Sequence, residues 1–431
     1  MKRNLLSTLI IASALSACGD SNTESTPIVD NIPPMSVESL KGSTERRAKG
    51  ASAEDLASLT QGNSTFAFSL YQHMTASTDQ QNLIASPHSL STAFAMLHAG
   101  ASDNTAAELN ATFHFNLANE NLHQAFNTLD QTLEEANTAD GMQVSIVNSQ
   151  WGEKTYDFNE QYSNNLSEFY GADIKLSDFI NNPEPTRLLI NDWVENQTNN
   201  LIQDLMPEQS ISSDTKMVLV NAVYFKAKWD TPFAASATLD KDFTHLDNTV
   251  TQVPTMNSRH DMSYFNDGNQ TIVELPYKGK DFSMFIIHSP VTQFNDIENS
   301  LSADNFNQLI EQMQITDIQL SLPKFSFGSN VALNQLLPAM GLNDAFDAQQ
   351  ADFSLMNKRN EQELYIQAAI HKAFINVNEE GTEAGAATGI SVGVTSVPET
   401  VDINSPFLFV IRHNETGAIL FIGRVINPTT T

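Results

Sequence analysis

The sequence contains one cysteine, Cys18, among 431 residues. A chain with a single cysteine forms no intrachain disulfide, so its stability must come from its hydrophobic core. It also lacks a cysteine framework for zinc, and its ten histidines include no H-x-x-x-H pair on a plausible helix. We therefore expect no metal site and no cofactor.

Basic residues are also scarce. There are 22 lysines and arginines against 51 acidic residues, which gives a formal net charge of -29. Nucleic-acid binding depends on clustered lysine and arginine, so a nucleic-acid partner is excluded, and a soluble acidic surface is the favoured interpretation. The hydrophobic content of 41% is typical of a globular protein with a sizeable core.

The first 17 residues contain no acidic side chain. Lys2 and Arg3 precede a mostly apolar run of 13 residues at 5–17, which is shorter than the roughly 20 residues of a membrane span and has the length of a secretion signal. The run ends in Leu-Ser-Ala-Cys, which resembles the lipobox of bacterial lipoproteins, where cleavage leaves the cysteine for lipid attachment. We predict a signal peptide at 1–17 and lipid attachment at Cys18; an ordinary cleaved signal with a chance cysteine is the alternative.

This N-terminus predicts an exported protein. We expect lipid anchoring in the bacterial cell envelope, with outer-membrane sorting favoured by Gly19, or an extracellular location. Residues 18–55 are rich in Ser, Thr, Asn, Glu and Pro and predict a flexible tether in which Arg46, Arg47 and Lys49 are solvated. Residues 56–431 contain no second linker of this kind and predict one domain.

Within that domain, helical and strand patterns are mixed. Pro87 after Ser86 favours a helix start, and further helices are predicted at 121–136 and 185–205. Strands are predicted at 144–147, 216–225, 271–275, 282–287, 318–322, 364–377, 407–411 and 419–422. The last two flank a turn and predict a hairpin. The order indicates an α+β domain, because helices and strands do not alternate strictly.

Residues 379–398 form a long stretch of small residues, and a long loop in a compact domain is usually functional or disordered. Residues at alternate positions of this stretch differ in charge and hydrophobicity. Thr382 and every second residue up to Val392 carry no charge and become more apolar along the chain. This set can be buried as one face of a strand, although the segment must begin as a loop.

The residues of this segment resemble the hinge and reactive-centre loop of serpins, a family of protease inhibitors. The loop motif is Glu379-Glu380-Gly381-Thr382-Glu383-Ala384, and motifs of the same family occur in order from about residue 56 to 428. They are Ser86-Pro87-His88-Ser89, Asn221 to Trp229, Val273 to Tyr277, Leu322 to Phe325, Ala351 to Ser354, His371-Lys372-Ala373, Ser405-Pro406-Phe407, Phe421 to Val425 and Asn427-Pro428.

The resemblance implies a serpin fold with three β-sheets, about eight or nine helices and an exposed reactive-centre loop. It implies that the protein is an irreversible suicide inhibitor and not an enzyme. The partner would be a target protease, which the inhibitor holds as a covalent acyl-enzyme. The hinge and inserting loop would comprise Glu379, Glu380, Gly381, Thr382, Glu383, Ala384, Gly385, Ala386, Ala387 and Thr388. A polar cluster beneath the opening of the main sheet would comprise Ser86, Ser89, Asn221 and His371, with Trp229 near the point of first insertion.

The family's spacing from Gly381 and from Pro406 places the scissile bond at Thr395-Ser396, with a shift to Val394-Thr395 as the alternative. No lysine or arginine lies between Lys372 and Arg412, and no Leu, Met or aromatic residue between 379 and 407. Trypsin-like and chymotrypsin-like targets are therefore disfavoured. An elastase-like or subtilisin-like serine protease is predicted, and a papain-like cysteine protease stays open.

Two other interpretations were weighed. Gly389-Ile390-Ser391-Val392-Gly393 fits the G-x-S-x-G motif of serine hydrolases, but that motif needs a following helix, and Val-rich sequence with Pro398 follows instead. The second is a non-inhibitory serpin that acts as a binding module. The chain is expected to be a monomer that contacts a membrane only through its N-terminal lipid.

Overall fold

The computed structural model describes residues 37–77, 81–136, 142–198, 200, 202–362, 364–382 and 397–429. Several predicted features lie outside these residues: the signal peptide, Cys18, the loop from Glu383 to Thr388, and the predicted reactive bond with Val394, Thr395 and Ser396.

Nine α-helices occur in the described part of the chain. They are α1 (Ala53–Ser77), α2 (Pro87–His98), α3 (Asp103–Phe113), α4 (Asn119–Ala136), α5 (Glu160–Asn165), α6 (Pro183–Gln197), α7 (Phe294–Ser300), α8 (Ala303–Glu311) and α9 (Leu333–Ala339). A short π-helical turn, Leu166–Tyr170, follows α5. Short 3-10 turns occur at Ala235–Ala237, Val291–Gln293, Asp344–Phe346 and Ser354–Met356.

The strands fall into two hydrogen-bonded sheets. The seven-stranded sheet contains β1 (Glu38–Leu40), β3 (Met142–Glu153), β4 (Ile174–Ser177), β5 (Met217–Lys228), β11 (Phe325–Ala332), β12 (Ala368–Asn378) and β13 (Gly381–Thr382). The nine-stranded sheet contains β2 (Leu83–Ala85), β6 (Leu239–Thr244), β7 (Val250–Asn266), β8 (Thr271–Pro276), β9 (Phe282–His288), β10 (Gln314–Pro323), β14 (Glu399–Asp402), β15 (Phe407–His413) and β16 (Ile419–Val425).

The α+β fold class predicted from the sequence patterns is confirmed by the mixture of helices and strands in the structure. The helix predicted at 185–205 is shorter and ends at Gln197, and the strand predicted at 364–377 begins at Ala368. The predicted hairpin at the C-terminus is present, since β15 pairs with β16 in antiparallel orientation.

Three sheets were expected, and the described residues form two. The difference comes from β7, which pairs with β10 over Thr255–Tyr264 and with β8 over Tyr264–Asn266. This three-residue junction joins two groups of strands into one continuous sheet.

Both faces of the central strands are buried, which follows from alternation of side chains along a strand. On β5, Leu219 and Val223 belong to the main core, whereas Val220 and Ala222 pack in a second core that includes residues of α6. The main core also contains residues of the nine-stranded sheet. The Phe225 ring lies 5.6 Å from that of Phe421, so the two sheets contact each other directly.

The segment at 37–55 differs from the flexible tether predicted for 18–55. Glu38–Leu40 forms β1, which pairs with β4 at the edge of the seven-stranded sheet. Arg46 and Lys49 form ion pairs with Glu134 and Glu135 of α4, and the Arg47 backbone N–H donates to the Glu168 carbonyl at 2.7 Å. Polar composition alone did not reveal that these residues have partners on the folded surface.

Candidate functional site

The hinge segment Glu379–Thr382 enters the seven-stranded sheet between two parallel strands. β5 and β12 are hydrogen-bonded neighbours over seven residue pairs, Val218–Tyr224 with Ala368–Phe374. Beyond these pairs β13 lies between the two strands. Its Thr382 is in register with Ala227 on one side and with Val377 on the other. The chain has therefore turned back after β12 and already occupies a gap between the two strands.

Gly381 is required at the first position of β13. Its φ is +154°, and a Cβ atom at this position would overlap the carbonyl oxygen of Ala227 and lie 2.6 Å from the Cα of Lys228. Both the backbone conformation and the space favour glycine. The glycine of the hinge motif thus allows the strand to pass close to β5.

Trp229 holds the turn that precedes β13. Its backbone N–H donates to the carbonyl of Glu380 at 2.8 Å, and its Nε1–H donates to the carbonyl of Asn378 at 3.0 Å. The N–H of Phe233 donates to the carbonyl of Glu379 at 2.7 Å. The structure therefore places Trp229 against the hinge, and its role near the point of first insertion stays a prediction.

Glu379 is fixed by two further contacts. Lys324 forms an ion pair with its carboxylate at 2.8 Å, and the Thr238 hydroxyl donates to it at 2.7 Å. Burial acts to raise the pKa of Glu379, but the hydrogen bonds from Lys324 and Thr238 outweigh that effect and lower the pKa. The carboxylate is ionised at neutral pH and anchors the start of the turn.

Thr382 is fully buried. Its hydroxyl lies 3.0 Å from that of Tyr277, whose pKa is raised far above its ordinary value by burial. The Tyr277 ring in turn stacks on Trp229, with centroids 4.6 Å apart. Thr382 therefore already faces the core as an interior strand residue does.

The predicted polar cluster is assembled across three adjacent strands and α2. The Ser86 backbone N–H donates to Nε2 of His371 at 3.0 Å, so Nδ1 carries the proton and donates to Oδ1 of Asn221 at 2.5 Å. Nδ2 of Asn221 donates to the Ser89 hydroxyl at 2.6 Å and to Oδ1 of Asn148 at 2.5 Å. His371, Asn221 and Asn148 are register partners on β12, β5 and β3.

This cluster is neutral at physiological pH. Burial lowers the pKa of His371 to about 3, so its Nε2 remains available as an acceptor for Ser86. The Ser86 hydroxyl has no hydrogen-bond partner among the described residues, so Ser86 takes part through its backbone. The structure brings together all four predicted residues of the cluster.

Four residues of the site are not predicted by the sequence. Asn148 lies on a strand predicted to end at residue 147, while Tyr277 and Lys324 lie within family motifs but received no role. Thr238 carried no signal at all. Asn148, Tyr277 and Lys324 each lie close to β5 or to the hinge in the structure. Only the sheet register reveals this proximity, so no local sequence pattern could have identified their roles.

In the described ranges there is no cluster of His, Cys, Asp and Glu suited to hold a metal ion. The helices described here include none with the length and apolar character needed to cross a membrane. Ser391 of the G-x-S-x-G match lies outside the described residues.

Comparison with known proteins agrees with this geometry. The family model "Serpin (serine protease inhibitor)" matches residues 61–428. Leukocyte elastase inhibitor A of the mouse is 35% identical over 381 residues, which cover 86% of this chain and 99% of the relative. The native thermophilic serpin tengpin is 28% identical with a TM-score of 0.79, covering 90% of this chain and 97% of its own. Human thyroxine-binding globulin is 29% identical with a TM-score of 0.78, covering 87% and 100%.

Proposed function

This chain belongs to the serpin family, and on that premise we propose that it is an irreversible inhibitor of serine proteases that acts by inserting its cleaved loop between β5 and β12. The family assignment and the solved relatives also confirm the serpin fold. The chain is a protease inhibitor by class and not an enzyme, which argues against the hydrolase interpretation of Ser391.

The position of β13 is the observation that carries the proposal. Two residues of the hinge already pair with both β5 and β12. Continuing the same antiparallel register brings Thr388, six positions beyond Thr382, opposite Asn221 and His371. Asn221 precedes Ala227 by six positions, and His371 precedes Val377 by the same number. Full insertion would thus split the parallel β5–β12 pairing at the polar cluster.

The alternation of side chains fits this insertion. Thr382 faces the core, so Ala384, Ala386 and Thr388 would face it too, because strand side chains alternate between the two faces. None of them carries a charge or a bulky group, so burial on that face meets no electrostatic barrier. Thr388 would place a hydroxyl beside the polar cluster.

The opposite face also has little space. There, β5 residues share a hydrophobic core with Ile190 and Val194 of α6. Gly385 and Gly389 would enter this face and need no room for side chains. Glycine weakens strands in general, but Gly389 would lie opposite Val220, a member of this core, where the lack of a side chain allows close approach.

Cleavage would start the process. The protease serine attacks the carbonyl carbon of Thr395, an ester to Thr395 forms, and the amine of Ser396 leaves with a proton. Twelve residues from Thr382 to Gly393 would then add a strand of about 40 Å. Displacement of the attached protease over such a distance would distort its oxyanion hole, whose donors work only within small tolerances, and the ester would persist.

We propose an elastase-like or subtilisin-like target. Val394 and Thr395 are small or β-branched and suit a shallow specificity pocket, and a relative of this chain is named an elastase inhibitor. Val394-Thr395 stays the alternative bond, and a papain-like cysteine protease stays an alternative target.

The direct test is incubation with pancreatic elastase or subtilisin followed by denaturing gel electrophoresis. We expect a complex that survives SDS and a released C-terminal peptide beginning at Ser396, identified by its mass. Clean cleavage without any complex would contradict the proposal and favour a non-inhibitory serpin that acts as a binding module. The likeness to thyroxine-binding globulin, named for binding, makes that the second candidate.

We further propose that the protein is exported as a monomer and anchored in the cell envelope by lipid on Cys18. Labelled palmitate should enter the native chain in a bacterial host, and the Cys18→Ser variant should neither incorporate label nor sediment with membranes. A palmitate-free native chain in the soluble fraction would contradict this proposal, and sizing chromatography tests the monomer.

A further inference from the structure

A cavity of about 380 Å³ lies among residues of α2, α4, β4 and α6, and it contains none of the hinge residues. Its walls include the apolar or aromatic side chains of Met96, Leu133, Tyr170 and Trp193. A volume of this size, with apolar side chains and polar or charged groups in comparable share along its walls, suits a small amphiphilic organic ligand.

The charged side chains along this cavity are paired with one exception. Arg46 donates to Glu134 at 2.8 Å, and Lys175 lies 3.4 Å from Asp173. The exception is Asp130, which has no lysine or arginine partner among the described residues. The cavity therefore holds one carboxylate whose ion-pair contact in the described residues is an imidazole, that of His88, and not a lysine or an arginine.

Asp130 is also poorly hydrated. Its side chain is 15% exposed, and its one ion-pair contact is with Nε2 of His88 at 3.0 Å. Two further polar atoms of the lining, Nδ1 of His88 and the hydroxyl of Thr92, are buried and have no hydrogen-bond partner in the described part of the chain. Buried polar groups normally have partners, so these two atoms are available to a ligand that forms hydrogen bonds in the cavity.

We propose that this cavity binds a small organic ammonium ion with an aromatic or branched apolar body. The ammonium group would donate to the Asp130 carboxylate, a charge-assisted hydrogen bond of the strong type. The apolar body would pack against Trp193, Tyr170 and Leu133. The net charge of -29 raises the concentration of cations near the surface and favours a ligand of this charge.

The cavity is connected to the polar cluster through Asn148. This residue lines the cavity and accepts a hydrogen bond from Asn221 of β5. β3 and β4 are hydrogen-bonded to each other, and β3 to β5, so they would move with β5 when it separates from β12. A ligand held by Asp130 of α4 would also lie beside the cavity residues Asn148 of β3 and Lys175 of β4. It would therefore oppose that movement and slow loop insertion, a consequence that rests on the proposed function.

Calorimetric titration of the uncleaved full chain with tryptamine tests the binding itself. We expect saturable binding of tryptamine and none of indole-3-propionate, which has the same ring and the opposite charge. Asp130→Asn retains an acceptor for His88 and should weaken tryptamine binding at least about tenfold. The matched control Asp240→Asn, at an exposed position of β6, should bind as the native chain does.

A second variant, Ala172→Phe, fills the cavity from its rim without a change of charge and should also abolish binding. Three results would each overturn the proposal: no tryptamine binding by the native chain, equal affinity for both indoles, or undiminished binding by Asp130→Asn.

The effect on inhibition is measured separately, as the rate of complex formation with elastase at saturating tryptamine. We expect tryptamine to reduce the rate of complex formation at least about threefold for the native chain and not at all for Asp130→Asn. The variant is the control for any direct effect of tryptamine on the protease. Binding without any rate change would overturn the coupling. A chain that binds tryptamine but never forms a complex would refute the proposed function and leave the binding site standing.

Discussion

The hydroxyl of Thr382 lies 3.0 Å from the hydroxyl of Tyr277 inside the core, and Thr382 has no exposed surface. The loop therefore begins from an interior position of the sheet. Tyr277 stacks on Trp229, whose backbone and indole N–H groups hold the preceding turn. On the proposed mechanism, the entry point for the loop is thus built in advance of any cleavage.

Replacing Thr382 with arginine should convert the inhibitor into a substrate. A charge without a partner is costly to bury at this position, so the loop would not enter the sheet before the ester is hydrolysed. We expect the fraction of protease trapped in an SDS-stable complex to fall at least about tenfold. Thr382→Ser, which keeps the hydroxyl, should trap nearly as much as the native chain. Undiminished trapping by Thr382→Arg would refute the insertion mechanism.

Gly381→Ala should destabilise the native protein. The new Cβ would overlap the Ala227 carbonyl, and the φ of +154° is unfavourable for alanine, so we expect a loss of roughly 2 kcal/mol or more. Gly268→Ala is the matched control. Gly268 also has a positive φ, +91°, but no atom lies within 4 Å of an added Cβ, so it should lose only about 1 kcal/mol. Urea unfolding measures both, and equal losses would show that the contact with β5 does not matter.

Stability should fall in acid, in part through His371. Burial lowers its folded pKa to about 3, whereas the unfolded side chain titrates near 6.5. The unfolded state therefore takes up the proton first. The stability contributed by neutral His371 is complete above about pH 6.5 and is lost progressively as pH falls toward 3.

The variant His371→Gln isolates this contribution. His123 and His288, whose pKa values burial lowers to about 3 and about 4, act in the same direction and remain in the variant. The free energy of unfolding should therefore depend less steeply on pH in the variant, by up to roughly 1.4 kcal/mol per pH unit. Parallel pH profiles would contradict the assignment.

Residues 37–52 should stabilise the folded body. A chain that starts at residue 53 loses the β1–β4 pairing and the backbone hydrogen bond from Arg47 to Glu168. We expect its unfolding midpoint to lie roughly 5 °C below that of a chain that starts at residue 37. Arg47→Ala alone loses partly exposed ion pairs with Glu120 and Glu168 and the contact with the Phe169 ring, but it keeps the backbone pairing, so it should cost less than the truncation. Equal midpoints of the two truncated chains would show that this segment contributes nothing.

The sequence predicted much of the fold because hydrophobic periodicity is local. Strands such as β8 and β9 and the hairpin of β15 and β16 were found from runs of a few residues. The extent of β7 was not, since its exposed, partly buried and buried residues follow no regular period and its length is fixed by pairing with three other strands. Because β7 pairs with both β10 and β8, it joins their strands into one sheet, so its length also determines whether two or three sheets form.

The candidate site was predicted as a set of residues but not as an arrangement. Family motifs supplied Ser86, Ser89, Asn221 and His371, and the structure shows them linked by hydrogen bonds. The role of Asn148 could not be predicted, because it depends on the register that sets β3 beside β5. Likewise, the partners of Arg46 lie more than 80 positions away on α4, and no local pattern reveals them.

The central claim is that the cleaved loop inserts between β5 and β12. Hydrogen–deuterium exchange of the chain before and after cleavage of the loop tests it most directly. We expect peptides covering 383–393 to exchange slowly after cleavage, because their amides would be bonded to β5 and β12. Exchange of these peptides at the rate of an unstructured chain after cleavage would contradict it.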